Sequence, residues 1–285
     1  LVLISGGDLY LAVFTKGVRD AETKDDLDVS INIDGNDVVS SNTLRWAILR
    51  DDMMHRANAA IAPVPNTVDE PISFDSALLT NSSVRVGITG DDMWVPEDIL
   101  LMGPEAATGH YIPLAGEWDI DDTRLSTDPT DGSPGSKLTI PLRLVRMGSI
   151  GTVIRRVSLL VKTSHVDDAG SEDPIRLEIT AGGNPVLNQV IGDTSQDDRF
   201  KKSDNWYTLD VTPFNKRNLM SNGGITLSII GEDAWLPWRL FLFGLDTAEG
   251  RPSEIVPLVS VAHWNMDWLS EDTGEGQPSI SLPVS

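Results

Sequence analysis

Carboxylates crowd two short stretches of this 285-residue chain. Asp20, Glu22, Asp25, Asp26 and Asp28 fall together in the first, and Asp167, Asp168, Glu172 and Asp173 in the second. Calcium takes roughly six to eight hard oxygen ligands, so clustered carboxylates beside backbone carbonyls supply the chemistry it needs. On that ground Asp25, Asp26, Asp28, Asp168, Glu172 and Asp173 are the candidate metal ligands, and calcium is the candidate cofactor. The spacing is not that of an EF-hand, and a solvated acidic turn accounts for the same residues.

Other chemistry finds little footing. His55, His110, His165 and His263 are scattered and form neither a His-x-x-x-His nor a His-Glu pair for zinc. There is no Gly-x-Ser-x-Gly elbow. The glycines of Gly103-Pro104-Glu105-Ala106-Ala107-Thr108-Gly109 lack the lysine that completes a phosphate loop. With 43 acidic residues, adjacency of two carboxylates does not mark a glycosidase pair. The chain has no cysteine, which removes disulfides, thiolate metal sites and cysteine nucleophiles. The expectation is a protein that is not an enzyme.

The charge balance narrows the partners. Lys and Arg total 22 against 43 acids, a net charge of −21. Nucleic acid phosphates are repelled by such a chain, and an anionic membrane is opposed unless a cation such as calcium intervenes. A heavily solvated surface or a high-salt setting, which screens self-repulsion, explains the excess. No stretch approaches the roughly 18 consecutive apolar residues of a membrane-spanning helix, so no transmembrane segment is expected. Leu1-Val2-Leu3-Ile4 lacks the basic flank and cleavage site of a signal peptide. A start at Leu suits a processed or excised chain.

Those residues must be positioned by something, and the sequence shows it twice. Gly90-Asp91-Asp92-Met93-Trp94-Val95-Pro96 answers to Gly231-Glu232-Asp233-Ala234-Trp235-Leu236-Pro237, each followed by an apolar run ending in Gly. Upstream, Leu9 to Thr15 answers to Val157 to Thr163. Downstream, Ile112-Pro113-Leu114 with Trp118 matches Val256-Pro257-Leu258 with Trp264, and Leu125-Ser126-Thr127-Asp128 matches Leu269-Ser270-Glu271-Asp272. Blocks that recur in one order imply two tandem copies, spanning 1–149 and 150–285, with Met147-Gly148-Ser149-Ile150-Gly151 as the punctuation between them.

Leu27-Asp28-Val29-Ser30-Ile31 and Ile175-Arg176-Leu177-Glu178-Ile179 alternate apolar and polar residues, as half-buried strands do. Many short runs of this kind, bracketed by turns such as Asp34-Gly35-Asn36 and Gly182-Gly183-Asn184, predict an all-β chain: two tandem antiparallel β-sandwich modules. The loose spacing of Leu44, Ile48, Met53 and Ala60 predicts one helix over 43–60. A turn-rich stretch before Leu138-Thr139-Ile140, and another before Ile280-Ser281-Leu282, predict an appended C-terminal hairpin on each module. Trp94 and Trp235 read as core anchors. Trp118, Trp264 and Trp268 read as packing, with a ligand-stacking surface as the alternative.

Ala169-Gly170-Ser171-Glu172-Asp173-Pro174-Ile175, soon after a strand ending in Thr163, combines with the later Gly-Glu-Asp-Ala-Trp-Leu-Pro. Together they resemble the PLAT (polycystin, lipoxygenase, alpha-toxin) domain. Ala21-Glu22-Thr23-Lys24-Asp25-Asp26-Leu27 keeps the Ala, Thr and Asp of that pattern and loses the Gly. The resemblance implies an eight-stranded sandwich of two four-stranded sheets. It also implies an accessory module that docks on lipid or protein, often with calcium in the loop before the second strand. Aromatic tips suited to lipid insertion are not evident in residues 16–26 or 164–173.

Two functions are expected from this. The first is a non-catalytic structural or assembly protein of an extracellular filament, a cell-surface layer, or a virion or tail, which self-associates or joins another structural protein. The second is a calcium-dependent adhesion or ligand- and lipid-binding module.

Overall fold

The computed structural model describes residues 2–4, 9–16, 23, 25–33, 36–44, 58–64, 72–74, 83–120, 123–131, 139–192, 203–247 and 254–285. The chain divides into two compact units, Leu1–Val145 and Arg146–Ser285. The division precedes the 149/150 join that the sequence punctuation marks. Its cause is backbone pairing: Gly148 N–H donates to Ile255 O (2.9 Å) and Ile255 N–H to Arg146 O (3.0 Å), tying 146–148 to the second unit.

The first unit contains β1 (Val2–Ile4), β2 (Leu9–Thr15), β3 (Leu27–Ile33), β4 (Asn36–Leu44), β5 (Asn58–Val64), β6 (Ile72–Phe74), β7 (Ser83–Ile88), β8 (Pro96–Pro104), β9 (Tyr111–Glu117) and β10 (Thr139–Leu144). The second contains β11 (Ile154–Thr163), β12 (Ile175–Ala181), β13 (Asn184–Ile191), β14 (Asp204–Phe214), α1 (Lys216–Asn222), β15 (Gly224–Ile229), β16 (Pro237–Asp246), β17 (Glu254–Val261) and β18 (Ser279–Leu282).

The second unit is a sandwich of two antiparallel four-stranded sheets, β14-β11-β16-β17 and β13-β12-β15-β18. Both the class and the sheet sizes are those expected from the strand pattern and the resemblance. In the first unit the orders are β5-β2-β8-β9 and β4-β3-β7-β10, the same sequence of positions. There β10 also turns onto the other sheet, where Arg143 and Leu144 pair with Gly116 and Ala115. Strands β1 and β6 pair apart from these sheets.

Side-chain periodicity explains the layers. On β12 burial alternates so that Ile175, Leu177 and Ile179 face inward. They meet Leu159, Val161, Leu240 and Leu242 of the facing sheet in one core cluster. Strands β2, β8, β11 and β16 are buried on nearly every residue, and they read as continuous apolar runs because both faces are covered.

Two local expectations are corrected. Thr43 and Leu44 belong to β4, where Thr43 pairs with Asp28 and Leu44 with Leu27, and Asn58 opens β5. The ladder with β3 outweighs a spacing that never formed a true i, i+3, i+4 stripe; 45–57 lie outside the described residues. Among the described residues the helix is α1, where the Asn215 side chain caps the first turn by accepting from Asn218 N–H (3.0 Å). The C-terminal strands are not an appendage either. β10 pairs with β7 and β18 with β15, each as the fourth strand of its second sheet, because Ile140, Leu142, Ile280 and Leu282 alternate into the core.

Candidate functional site

The described residues of the acidic stretches lie just before β3 in the first unit (Thr23, Asp25, Asp26) and between β11 and β12 in the second. In the second unit, Ser171 sits just before β12. Its hydroxyl donates to Asp233 O (3.0 Å) across the loop and accepts from Asp173 N–H (3.0 Å) two residues on. The Asp173 carboxylate then accepts from Asp233 N–H (2.8 Å), and the Asp233 carboxylate accepts from Glu172 N–H (2.9 Å). Ser270 repeats the device from the other side, donating to Glu232 O (2.9 Å) and accepting from Asp272 N–H (3.0 Å). Asp272 in turn accepts from Gly274 N–H (2.8 Å).

The first unit builds the same corner. Thr23 donates to Asp92 O (2.8 Å) and accepts from Asp25 N–H (3.1 Å), while the Asp25 carboxylate accepts from Asp92 N–H (2.7 Å). Ser126 donates to Asp91 O (3.0 Å) and accepts from Asp128 N–H (2.9 Å). Asp128 accepts from both the amide and the hydroxyl of Thr130, each at 2.7 Å, and these bonds hold its carboxyl below the ordinary carboxylate value. In each unit, two Ser/Thr-x-Asp turns therefore grip the two acidic carbonyls that follow Gly90 or Gly231. Short polar side chains that bond their own backbone two residues on are turn formers.

Under each corner stands a tryptophan. Trp94 and Trp235 are fully buried, and each pairs its backbone in both directions with Leu125 or Leu269. Trp94 Nε1–H donates to Thr15 Oγ1 (2.9 Å), and Trp235 Nε1–H to Thr163 Oγ1 (3.1 Å), so both indoles anchor the core as expected. Trp118 packs on Gly116, and Trp264 packs against the core with its Nε1–H on Asp267 O (3.2 Å).

The candidate ligands do not converge. Asp25 and Asp173 each give an oxygen to a backbone amide. Asp26 contributes its carbonyl, which accepts from the Thr89 amide (3.1 Å) and hydroxyl (3.0 Å). Asp28 lies out on β3, with Oδ1 buried and lacking a hydrogen-bond partner. Glu172 and Asp168 are exposed, and Asp168 adopts the left-handed backbone (φ 61°). Among the described residues no three His, Cys, Asp or Glu side chains gather where they could hold a metal ion. Calcium needs several oxygens on one centre; Asp20 and Glu22, which belong to the first acidic cluster, lie outside the described residues.

Sequence reasoning missed the hydroxyls. Thr23, Ser126, Ser171 and Ser270 each stand in a Ser/Thr-x-Asp pattern, the signal in the chain that marks these turns.

No family model matches the chain, and no curated protein matches it. Among solved structures it is similar to "Alpha Toxin from Clostridium Absonum" at 16% identity and TM-score 0.35, over 48% of this chain and 33% of the toxin. The chain thus spans about a third of that protein's length. A second similarity, to the paired C2 domains of Extended-Synaptotagmin 2, has 9% identity and TM-score 0.13, over 82% of this chain and 76% of that one.

Proposed function

We propose that this chain is a non-catalytic building block of an assembly, formed by a tandem duplication of one β-sandwich module. The observation that carries the reading is the closed corner. In both units a Ser/Thr hydroxyl on each side of the corner, and the carboxylate of Asp25 or Asp173, bond the unit's own backbone at equivalent places. Polar groups bonded to their own backbone close a loop as a turn, which suits the end of a scaffold module. The surplus of acid keeps such a scaffold soluble until a specific contact forms.

An extracellular filament, a cell-surface layer, or a virion or tail is the setting that suits these properties. Light scattering coupled to size exclusion, with negative-stain microscopy, tests the reading. Defined oligomers are expected at micromolar to millimolar protein. A chain that stays monomeric across that range overturns it.

A further inference from the structure

Asn222-Gly223 is the single Asn-Gly pair in the chain. It closes α1, a helix of seven residues whose buried Leu219 fixes it to the core. The glycine stands there because the fold leaves no room for a side chain. A Cβ built on Gly223 would run into Thr180 O and Leu219 O, both backbone atoms that cannot swing aside. Thr180 lies near the end of β12, paired with Gly224 at the start of β15. The sheet thus dictates a bare backbone after Asn222.

That placement leaves the Asn222 side chain open to its own neighbour. Asn222 and Gly223 are both exposed. Among the described residues no hydrogen bond ties down the Asn222 side-chain amide, whose Nδ2 lies 2.9 Å from the place of a Cβ on Gly183. Gly223 has left the helix, with φ −160° and ψ −174°. Inside a helix the next residue's nitrogen is locked into the following turn, whereas helix ends fray. A helix this short has little stability of its own, and Gly223 has no side chain to shield its nitrogen.

We infer that Asn222 is a site of spontaneous deamidation, and that its conversion loosens α1 from the β12–β13 turn. The Gly223 nitrogen loses its proton to solvent base and attacks Asn222 Cγ. The new C–N bond closes a five-membered imide as the Cγ–Nδ2 bond breaks and ammonia leaves. Water then opens the imide at either carbonyl. One opening yields aspartate; the other yields isoaspartate, in which the chain runs through Cβ and Cγ. Water is consumed and ammonia released, mole for mole. The site does not depend on the assembly proposed above.

The local bonding gives the conversion its consequence. Asn222 O accepts from Gly183 N–H (2.6 Å) and Asn218 O from Gly182 N–H (3.0 Å), which fastens the β12–β13 turn to α1. Isoaspartate adds a backbone carbon between buried Leu219 and Gly223, and Gly223 is already hemmed in by Thr180 O. It also turns the carbonyl that holds Gly183 into part of a carboxylate. Both products place a negative charge at the C-terminal end of α1, where the helix dipole disfavours it.

Peptide mass spectrometry on the full chain, aged in mildly alkaline buffer, tests the site, with isoaspartyl methyltransferase labelling to identify isoaspartate. Conversion at Asn222 is expected to be first order and to quicken with pH, because the attacking nitrogen must lose its proton. A parallel sample unfolded in denaturant reports the rate that the dipeptide alone allows. The folded and unfolded samples are expected to convert within about tenfold of each other, about 1.4 kcal/mol of barrier. A larger gap means that the fold protects Asn222, and it overturns the site. The aged isoaspartate form is then expected to melt at a lower temperature than an Asn222→Asp variant, which carries the charge without the added carbon. Equal melting temperatures would overturn the loosening of α1.

Discussion

Asp173 occupies the space that a side chain on Gly231 would need: a Cβ built there would run into the Asp173 carboxylate. Gly90 stands in the same relation to Asp25. Glycine is therefore required at both sites by the carboxylate clamp itself, and at Gly231 also by its backbone (φ 145°).

The two glycines separate those causes. Gly90→Ala is expected to destabilise the chain by about 1–3 kcal/mol through overpacking. In an Asp25→Ala background most of that cost should vanish, because the colliding group is gone. Gly231→Ala should retain a residual cost in the Asp173→Ala background, since its backbone strain remains. Urea denaturation of the four single variants and two double variants checks this, and strictly additive values would show that the clamp does not act as described.

The buried Trp94 indole gives a second measurement. Thr15→Val keeps the shape of the side chain but removes the acceptor for Trp94 Nε1–H. The expected cost is about 1–3 kcal/mol, that of a buried donor left unsatisfied. Trp94→Ala should cost more, about 3–5 kcal/mol, because a cavity is added. Equal losses for the two variants would place Trp94 outside the core.

Much of this architecture was legible in the chain. The period-two runs at Leu27–Ile31 and Ile175–Ile179 became β3 and β12 because a half-buried strand leaves that signature whatever its neighbours. Trp94 and Trp235 were readable as anchors because large rings flanked by turn residues seldom find enough apolar contact elsewhere. The corners were half legible: the acidic clusters were seen, but whether a carboxylate faces a cation or a backbone amide depends on a loop some 60 residues away (|i−j| = 60 for Asp173 and Asp233). The helix expected over 43–60 failed for a similar reason, since Thr43 and Leu44 take their partners from β3. Long-range pairing overrides weak local spacing.

Calcium discriminates the two views of the acidic loops. A cation bound by the native state alone would stabilise it by mass action. With Asp25 and Asp173 turned onto amides, thermal melts in millimolar calcium and in chelator are expected to coincide. A clear rise in melting temperature with calcium, lost in Asp25→Asn or Asp173→Asn, would show that these carboxylates reorganise around the ion.

Acid should act on the first unit's corner through Asp128. Its carboxyl is held below 3.8 by the Thr130 amide first and the Thr130 hydroxyl second, with burial opposing them weakly. A folded value lower than the unfolded one means the folded state favours the charged form. That contribution is complete above the unfolded carboxyl range and is lost as pH falls through the folded value. Carbon-detected NMR titration of Asp128 should find its midpoint below 3.8 in the wild type. In Thr130→Val the hydroxyl donor is gone but the amide remains, so the midpoint should move up without reaching the unfolded value. A midpoint that does not change on removing the hydroxyl would leave the short Thr130 Oγ1 contact (2.7 Å) without electrostatic consequence, and the turn at Asp128 would then be held by its backbone bonds alone.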